Sequence, residues 1–270
     1  MRVVTTFDER LYQETGRHLV ESLRSHLTSE QILVYGENMT SPLYGVQMLD
    51  VASLPELDQI LVACRDIIPR ESGGDADTLK GYNQRWYNWF RKVIVQYDAI
   101  VRRPNSGYTI FLDSDVRMVK SPDEAVMASV LVSAVGVLLG DRESIESGVI
   151  VYCDSNPGAS RFATAFLELF LSGEFRSLPR WDDGYVMKEC ALRHPAFVQD
   201  LAAGKQSVVH CNSNGHETSG QLLPLTMLGE YFEHDKGVHW RRGLATTVIP
   251  QTPRSMMTGY YNWLRTVLGR

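Results

Sequence analysis

The chain has 270 residues, of which 44% are hydrophobic and 22% are charged, and its formal net charge is −5. Since a domain takes roughly 150 residues, this length fits one large domain or two small ones. The composition excludes a disordered, collagen-like or disulfide-scaffold chain. The negative net charge repels polyanions, so a nucleic-acid acceptor is possible but is not favoured.

Cysteine spacing and hydropathy indicate the compartment in which the protein is expected. The four cysteines form no C-x-x-C pair, which argues against a zinc knuckle or a disulfide framework: Cys64, Cys153, Cys190 and Cys211. The first residues lack the apolar core of a signal peptide. The most apolar stretch, 125–140, is shorter than the roughly 20 residues that span a bilayer. We therefore expect a cytoplasmic protein without a transmembrane segment.

Strand and helix patterns alternate from the first residue. Residues 1–7 form a β-branched run typical of a strand, and residues 8–27 carry leucines at near-helical spacing. Further strands are predicted at 31–35 and 46–51. This alternation predicts an α/β sheet that binds ligands at the carboxyl ends of its strands.

The middle of the chain begins with a polar, glycine-rich segment at 69–82, which predicts a solvated surface loop or a lid. A helix follows, whose apolar residues recur every three to four positions and are predicted to face the core: Trp86, Trp89, Phe90, Val93, Ile94 and Tyr97. Residues 125–140 predict the end of a buried helix that runs into a buried strand. Later elements are strands at 148–152 and 207–210, a helix at 159–171 and a turn at 181–184.

The most informative segment is YTIFLDSDVRMV at 108–119, in which apolar and β-branched residues lead into Asp113-Ser114-Asp115. Residues two apart in a strand point to the same face, so Asp113 and Asp115 are predicted to project together. Two close carboxylates repel each other unless a cation or a proton intervenes, and Mg²⁺ or Mn²⁺ prefers such oxygen ligands. The pair predicts a divalent metal site, with a helix-capping acid pair as the alternative.

A D-x-D motif after a hydrophobic strand also resembles the haloacid-dehalogenase-like phosphatases, in which Asp113 would be the nucleophile. That family usually carries the motif on an early strand, with a lysine somewhat upstream of a later acidic pair. Here the motif lies deep in the chain, and the nearest lysine before Asp182-Asp183 is Lys120. These departures weaken the phosphatase interpretation.

Ordered segments over most of the chain resemble the GT-A-fold, nucleotide-sugar-dependent glycosyltransferases, particularly small bacterial and phage forms. The segments are VVTTF at 3–7, FRK at 90–92, FLDSDV at 111–116, ESGVIVY at 146–152, WDDG at 181–184 and YFEHDKG at 231–237. The resemblance implies a Rossmann-like, mixed but mostly parallel sheet flanked by helices. The organisation of the chain predicts one domain over 1–245, followed by an extension at 246–270. The apolar spacing at 259–270 predicts an amphipathic helix in that extension.

The resemblance also implies roles for individual residues. The implied metal ligands are Asp113, Asp115 and His234, with His210 as the competing histidine. The implied donor-binding residues are Lys92, Asp113, Lys236, Gly237, Thr5 and Thr6. Asp183 matches the acid near the sugar and acceptor, but such families often have His-Asp-Ser where this chain has Asp182-Asp183-Gly184. Asp182 therefore stays an alternative catalytic residue.

The implied reaction moves a sugar from a nucleoside diphosphate sugar, with Mn²⁺ or Mg²⁺ as cofactor, to an acceptor hydroxyl. The acceptor could be a glycan, a metabolite, a protein side chain or a modified DNA base. Asp183 or Asp182 would deprotonate the acceptor in an inverting mechanism. In a retaining mechanism the same acid would stabilise the oxocarbenium-like centre or orient the acceptor. A catalytically inactive module that binds sugar nucleotides is the non-enzymatic alternative, and the sequence indicates no oligomeric state.

Overall fold

A computed structural model describes residues 1–64, 86–211, 221–234 and 247–250 of the protein, with 208–211 and 247–250 described through their backbone alone. The strands in these ranges are β1 (Arg2–Asp8), β2 (Ile32–Glu37), β3 (Gln47–Asp50), β4 (Tyr108–Leu112), β5 (Val116–Met118), β6 (Val135–Val137), β7 (Val149–Cys153), β8 (Val198–Asp200), β9 (Val208–Cys211), β10 (Phe232–His234) and β11 (Thr247–Pro250). The α-helices in the same ranges are α1 (Glu9–Leu11), α2 (Arg17–Arg24), α3 (Glu56–Ala63), α4 (Trp86–Tyr97), α5 (Glu124–Val130), α6 (Pro157–Leu171) and α7 (Asp183–Arg193).

Seven of these strands form one central sheet in the order β3-β2-β1-β4-β7-β6-β8. Strands β3, β2, β1 and β4 run parallel to one another, and β6 runs parallel to β8. Strand β7 runs antiparallel to both of its neighbours, β4 and β6. The sheet is therefore mixed but mostly parallel, and the predicted α/β fold class is confirmed.

Successive residues of each central strand point to opposite sides of the sheet. Because apolar residues occupy successive positions, both faces of the sheet are packed against a core. In β7, Ile150 and Tyr152 join the core under α3, α4, α6 and α7, whereas Val149 and Val151 join the core on the other face. That second core is covered by α2, α5 and the segment 222–232. The result is three layers, with helices on both sides of the sheet.

Most predicted elements lie within a few residues of the observed ones, with two instructive differences. The predicted helix at 8–27 is α1 and α2 joined by a π-helical turn at Tyr12–Gly16. The predicted turn at 181–184 is the start of α7, which the sequence analysis missed. Trp86 and Phe90 are buried as predicted, whereas Trp89 is only half-buried.

Some predictions fall on residues outside the described ranges. These are the loop at 69–82 and the C-terminal amphipathic helix, so the domain boundary at 245 stays a prediction. Among the described residues, each helix is too short or too polar to cross a lipid bilayer.

A two-stranded antiparallel ladder beside the main sheet brings a late segment of the chain to the D-x-D motif. Strand β10 pairs with β5, and His234 lies opposite Val116, which directly follows Asp115. A second such ladder joins β11 to β9. The first ladder completes the site described below.

Candidate active site

A cavity of about 570 Å³ opens where β1, β2 and β4 end. Parallel strands present their carboxyl ends at the same edge of a sheet, which is where α/β folds bind ligands. The cavity is lined by residues at or just after the ends of these strands and by one side of α4, among them Asp8, Glu37, Trp89, Lys92, Asp113 and Asp115. The D-x-D motif therefore faces an open space large enough for a cofactor-sized molecule.

The two aspartates of the motif lie on a turn and not in one continuous strand. The pairing of β4 with β7 ends at Leu112, after which the Asp113 amide donates to the Gly148 carbonyl at 3.0 Å. The amide of Val116 then donates to the Asp113 carbonyl at 3.1 Å and closes the turn. Asp113 and Asp115 therefore do not project from alternate positions of one strand, as predicted, although both carboxylates line the cavity.

His234 completes a cluster of ligand-type atoms with this turn. Its Nε2 lies 3.2 Å from Asp115 Oδ1. One ligand atom each from Asp113, Asp115 and His234 lie within 4.8 Å of one another. Two carboxylate oxygens and an imidazole nitrogen at this spacing are a chemically suitable donor set for a divalent ion. The sequence analysis named these three residues, and the structure brings them together.

Glu146, to which the sequence assigned no role, contacts His234 of this cluster. Its carboxylate is buried, and Oε1 lies 3.0 Å from Nδ1 of His234. Its other oxygen, Oε2, accepts from the Leu222 amide at 2.6 Å and from Arg142 at 3.3 Å. The available signal was a carboxylate three residues before the start of a buried strand, a position where burial requires strong partners.

Lys92 of α4 joins two aspartates from distant parts of the chain. Its Nζ lies 2.8 Å from Asp113 Oδ1 and 2.6 Å from Asp183 Oδ2, and it donates to Ser147 at 3.3 Å. Burial alone would lower the pKa of Lys92, but the carboxylates of Asp113 and Asp183 outweigh it and raise the pKa above its ordinary value. Lys92 therefore remains an ammonium ion beside the D-x-D motif.

Asp182 and Asp183 have different surroundings. Asp182 is the N-cap of α7, where its Oδ1 accepts from the Tyr185 amide at 3.1 Å and its Oδ2 from Arg180 Nε at 2.9 Å. Burial raises the pKa of Asp182, an effect that Arg180 opposes. Asp183 is the one joined to Lys92 and thereby to Asp113. Of the two predicted catalytic acids, the structure connects Asp183 to the motif and gives Asp182 a capping role.

Gly184 stands where the glycosyltransferases that the sequence resembles often have a serine, and its close packing explains the glycine. A Cβ at this position would lie 2.4 Å from the carbonyl oxygen of Ile145. The Ile145 amide also donates to the Gly184 carbonyl at 3.2 Å, so the two backbones are in contact. A serine cannot fit here without moving the loop that carries Glu146 and Ser147.

The remaining predicted site residues lie in different places. Thr6 lines the cavity and its hydroxyl donates to the Tyr35 carbonyl at 2.9 Å. Thr5 is fully buried in β1, and its hydroxyl has no hydrogen-bond partner among the described residues. Lys236 and Gly237 lie outside the described residues, and His210 is in β9, where the description covers the backbone.

The backbone is similar to those of solved glycosyltransferases. For mouse xyloside xylosyltransferase 1 in its apo form, the TM-score is 0.48 at 14% identity, over 74% of this chain and 84% of that one. For the glycosyltransferase GlyE of Streptococcus pneumoniae TIGR4, in its apo form, the TM-score is 0.43 at 12% identity, over 74% of this chain and 44% of that one. This chain thus spans less than half of the GlyE chain that it matches. No protein-family model and no curated protein sequence matches this chain.

Proposed function

We propose that the protein is a metal-dependent glycosyltransferase that uses a nucleoside diphosphate sugar as donor. The observation that carries the proposal is the convergence of Asp113, Asp115 and His234 at the edge of the cavity. His234 comes from a segment far from the two aspartates in the sequence, and close carboxylates repel each other unless a cation or a proton lies between them. The cavity volume of about 570 Å³ suits a ligand of nucleotide size.

The metal would be held by Asp113, Asp115 and His234. A bound divalent ion stabilises the negative charge that develops on a departing diphosphate. Imidazole is a ligand more typical of transition metals than of Mg²⁺, so this donor set favours Mn²⁺ of the two predicted ions. Lys236 and the Gly237 backbone remain the proposed β-phosphate contacts, on the sequence resemblance alone.

Lys92 and Asp183 would act together on the donor side of the reaction. Lys92 fixes the orientation of the Asp113 carboxylate through contacts of 2.8 and 3.0 Å and adds a positive charge beside the diphosphate position. Asp183 holds that ammonium ion at 2.6 Å. An ammonium so close competes for the lone pairs that a general base needs. We therefore assign Asp183 an electrostatic and orienting role at the sugar, in preference to proton abstraction.

A donor screen tests the proposal. The protein is incubated with Mn²⁺ and a panel of sugar nucleotides, and release of free nucleoside diphosphate is measured, with calorimetry for donor binding. We expect one donor to be turned over only when the metal is present. Asp115→Asn should abolish metal-dependent donor binding. Asp58→Asn, which removes the same charge from an exposed position on α3, should not.

Three results would contradict the proposal. The first is that no sugar nucleotide binds or reacts, with or without Mn²⁺, while the protein is folded. The second is hydrolysis of p-nitrophenyl phosphate that is lost in Asp113→Asn, which would support the phosphatase alternative. The third is donor binding without any transfer or hydrolysis, which would support the inactive binding module.

A further inference from the structure

We infer that Glu146 is a positioning residue that fixes the tautomer and orientation of His234, so that the Nε2 lone pair faces Asp115. The inference rests on the proposed function, because it assigns Nε2 as a metal ligand. It goes further by naming the residue that prepares this nitrogen before any metal arrives. It follows from the hydrogen-bond partners of Glu146, the packing of the imidazole ring and the charge on its two sides.

The partners of Glu146 define which atoms carry protons. Its side chain is 1% exposed, and a buried carboxylate is stable only where its oxygens accept hydrogen bonds. Oε2 accepts from the Leu222 amide at 2.6 Å and from Arg142 at 3.3 Å. Oε1 faces His234 Nδ1 at 3.0 Å, and a carboxylate can only accept there. Nδ1 must therefore carry a proton, which leaves Nε2 of the neutral ring with its lone pair.

The ring is also held by packing. A Cβ on Gly148 would lie 2.5 Å from Cε1 and 2.9 Å from Nδ1 of His234, so the imidazole lies directly against the Gly148 backbone. The side-chain amide of Gln221 donates to the His234 carbonyl at 3.0 Å and fixes the strand end that carries the ring. With its side chain only 6% exposed, His234 has little freedom to turn away from Asp115.

The other side of the ring faces Asp115. Nε2 lies 3.2 Å from Asp115 Oδ1, and an acceptor-only carboxylate oxygen at this distance requires either a proton on Nε2 or a metal ion between the two atoms. Because Glu146 keeps the proton on Nδ1, a metal ion that binds here displaces the Nε2 proton to solvent and takes its place. A carboxylate that orients a ligating histidine through its other nitrogen makes that ligand more basic and fixes its direction. Removal of such a partner typically weakens metal affinity by about 10–100-fold. Glu146 would therefore prepare the third ligand for a metal that Asp113 and Asp115 share.

The substitution Glu146→Gln tests this arrangement. A glutamine has one acceptor oxygen, whereas Glu146 faces donors with both of its oxygens, so the amide NH₂ must point at one of them. If it points at His234, Nδ1 becomes the acceptor and the proton moves to Nε2. Glu143→Gln is the matched control, because it removes the same charge from an exposed position three residues away.

Two measurements are made on each variant of the full chain at the same pH. Long-range ¹H–¹⁵N NMR of the metal-free protein shows whether Nδ1 of His234 carries a proton, with the signal assigned through His234→Asn. Electron paramagnetic resonance of free Mn²⁺ gives the metal affinity. We expect Nδ1–H in the wild type and in Glu143→Gln. In Glu146→Gln we expect loss of that tautomer and an Mn²⁺ affinity lowered by about 10–100-fold.

The outcomes separate this inference from the proposed function. A Glu146→Gln protein with Nδ1–H retained and wild-type Mn²⁺ affinity would overturn the inference. A wild-type protein that binds no Mn²⁺ would contradict the proposed metal site, while the NMR measurement without metal still tests Glu146. If Glu146→Gln does not fold, Glu146→Asp replaces it, because it keeps the charge but withdraws the oxygens by about 1.5 Å. Wild-type tautomer and affinity in that variant would equally refute the inference.

Discussion

Replacing Lys92 with methionine removes an ammonium ion from between two carboxylates and keeps most of the side-chain volume. In the wild type, Nζ lies 2.8 Å from Asp113 and 2.6 Å from Asp183. After the substitution, the two carboxylates lose the cation that compensates their charge. We expect the folded state to be destabilised, because an unpaired buried charge costs more than the pair gains.

The size of the effect follows from the burial of the three groups. Removing one partner of a fully buried ion pair costs about 3–5 kcal/mol. The Lys92 side chain is 16% exposed, that of Asp113 24% and that of Asp183 5%, so water screens part of the interaction. We therefore expect the free energy of unfolding to fall by about 3 kcal/mol, the lower end of that range.

Urea unfolding at pH 7 in the presence of a chelator measures this change. Lys205→Met, at an exposed position, is the matched control and should change the free energy of unfolding by less than about 0.5 kcal/mol. Adding Asp183→Asn to Lys92→Met should recover part of the loss, since one of the uncompensated charges disappears. The coupling energy of this double-mutant cycle should lie between about 0.5 and 3 kcal/mol.

A loss below about 1 kcal/mol, together with additive effects of the two substitutions, would refute the reasoning. Such a result would mean that water, and not Lys92, compensates the two carboxylates. The assignment of Asp183 as the residue that holds Lys92 would then have to be abandoned, whereas the metal-ligand proposal would stand.

Three further predictions concern the same site. In Gly148→Ala the new Cβ lies 2.5 Å from the His234 ring, which must move by about 1 Å to reach ordinary contact. Mn²⁺ affinity measured by calorimetry should therefore fall at least about 10-fold. Gly107→Ala should bind normally, because its Cβ has the flexible end of Glu124 at 3.3 Å as its nearest neighbour and the Met1 backbone only at 3.9 Å. Asp182→Ala removes the N-cap of α7 and should lower the free energy of unfolding by about 1 kcal/mol without changing Mn²⁺ affinity, so a lost metal site would contradict the capping role. The pKa of Lys92 in the folded state is raised above 10.5, so the contribution of its charge to folding stability is complete below that pH. This contribution is lost only as pH rises through the raised pKa. The difference in the free energy of unfolding between wild type and Lys92→Met should therefore not shrink between about pH 7 and 10, which urea unfolding across that range will measure.

The fold class could be predicted because it depends on local patterns. Alternating strand and helix signals place β1, β2 and β3 and the helices between them, and buried runs mark β4 and β7. The reversed direction of β7 could not be predicted, because a strand buried on both faces has the same hydrophobic pattern in either direction. The start of α7 was missed for a similar reason, since an N-cap such as Asp182 has the same sequence signature as a turn.

Three residues of the candidate site could be predicted from the sequence, but the contacts between them could not. Asp113, Asp115 and His234 are recognisable by type and by motif. Their convergence depends on the ladder between β5 and β10, which no local pattern specifies. Glu146 was missed because its partner His234 is 88 residues away, and a buried acid is identified only by what surrounds it. The choice between Asp182 and Asp183 likewise required the position of Lys92, which comes from a different helix.

The ladder between β5 and β10 also sets the order in which the sheet and the proposed metal site can form during synthesis of the chain. All seven strands of the main sheet lie before residue 201, whereas His234 follows them, and Arg117 contacts Glu233 across 116 residues of sequence. Closing so long a loop is costly unless the intervening chain is already compact. A chain emerging from the ribosome could therefore fold its sheet with the two aspartates in place but without the third ligand. Tight binding of a metal ion at the proposed site would then wait until residue 234 has been made and β10 has paired with β5, so ion binding would indicate that this segment has docked.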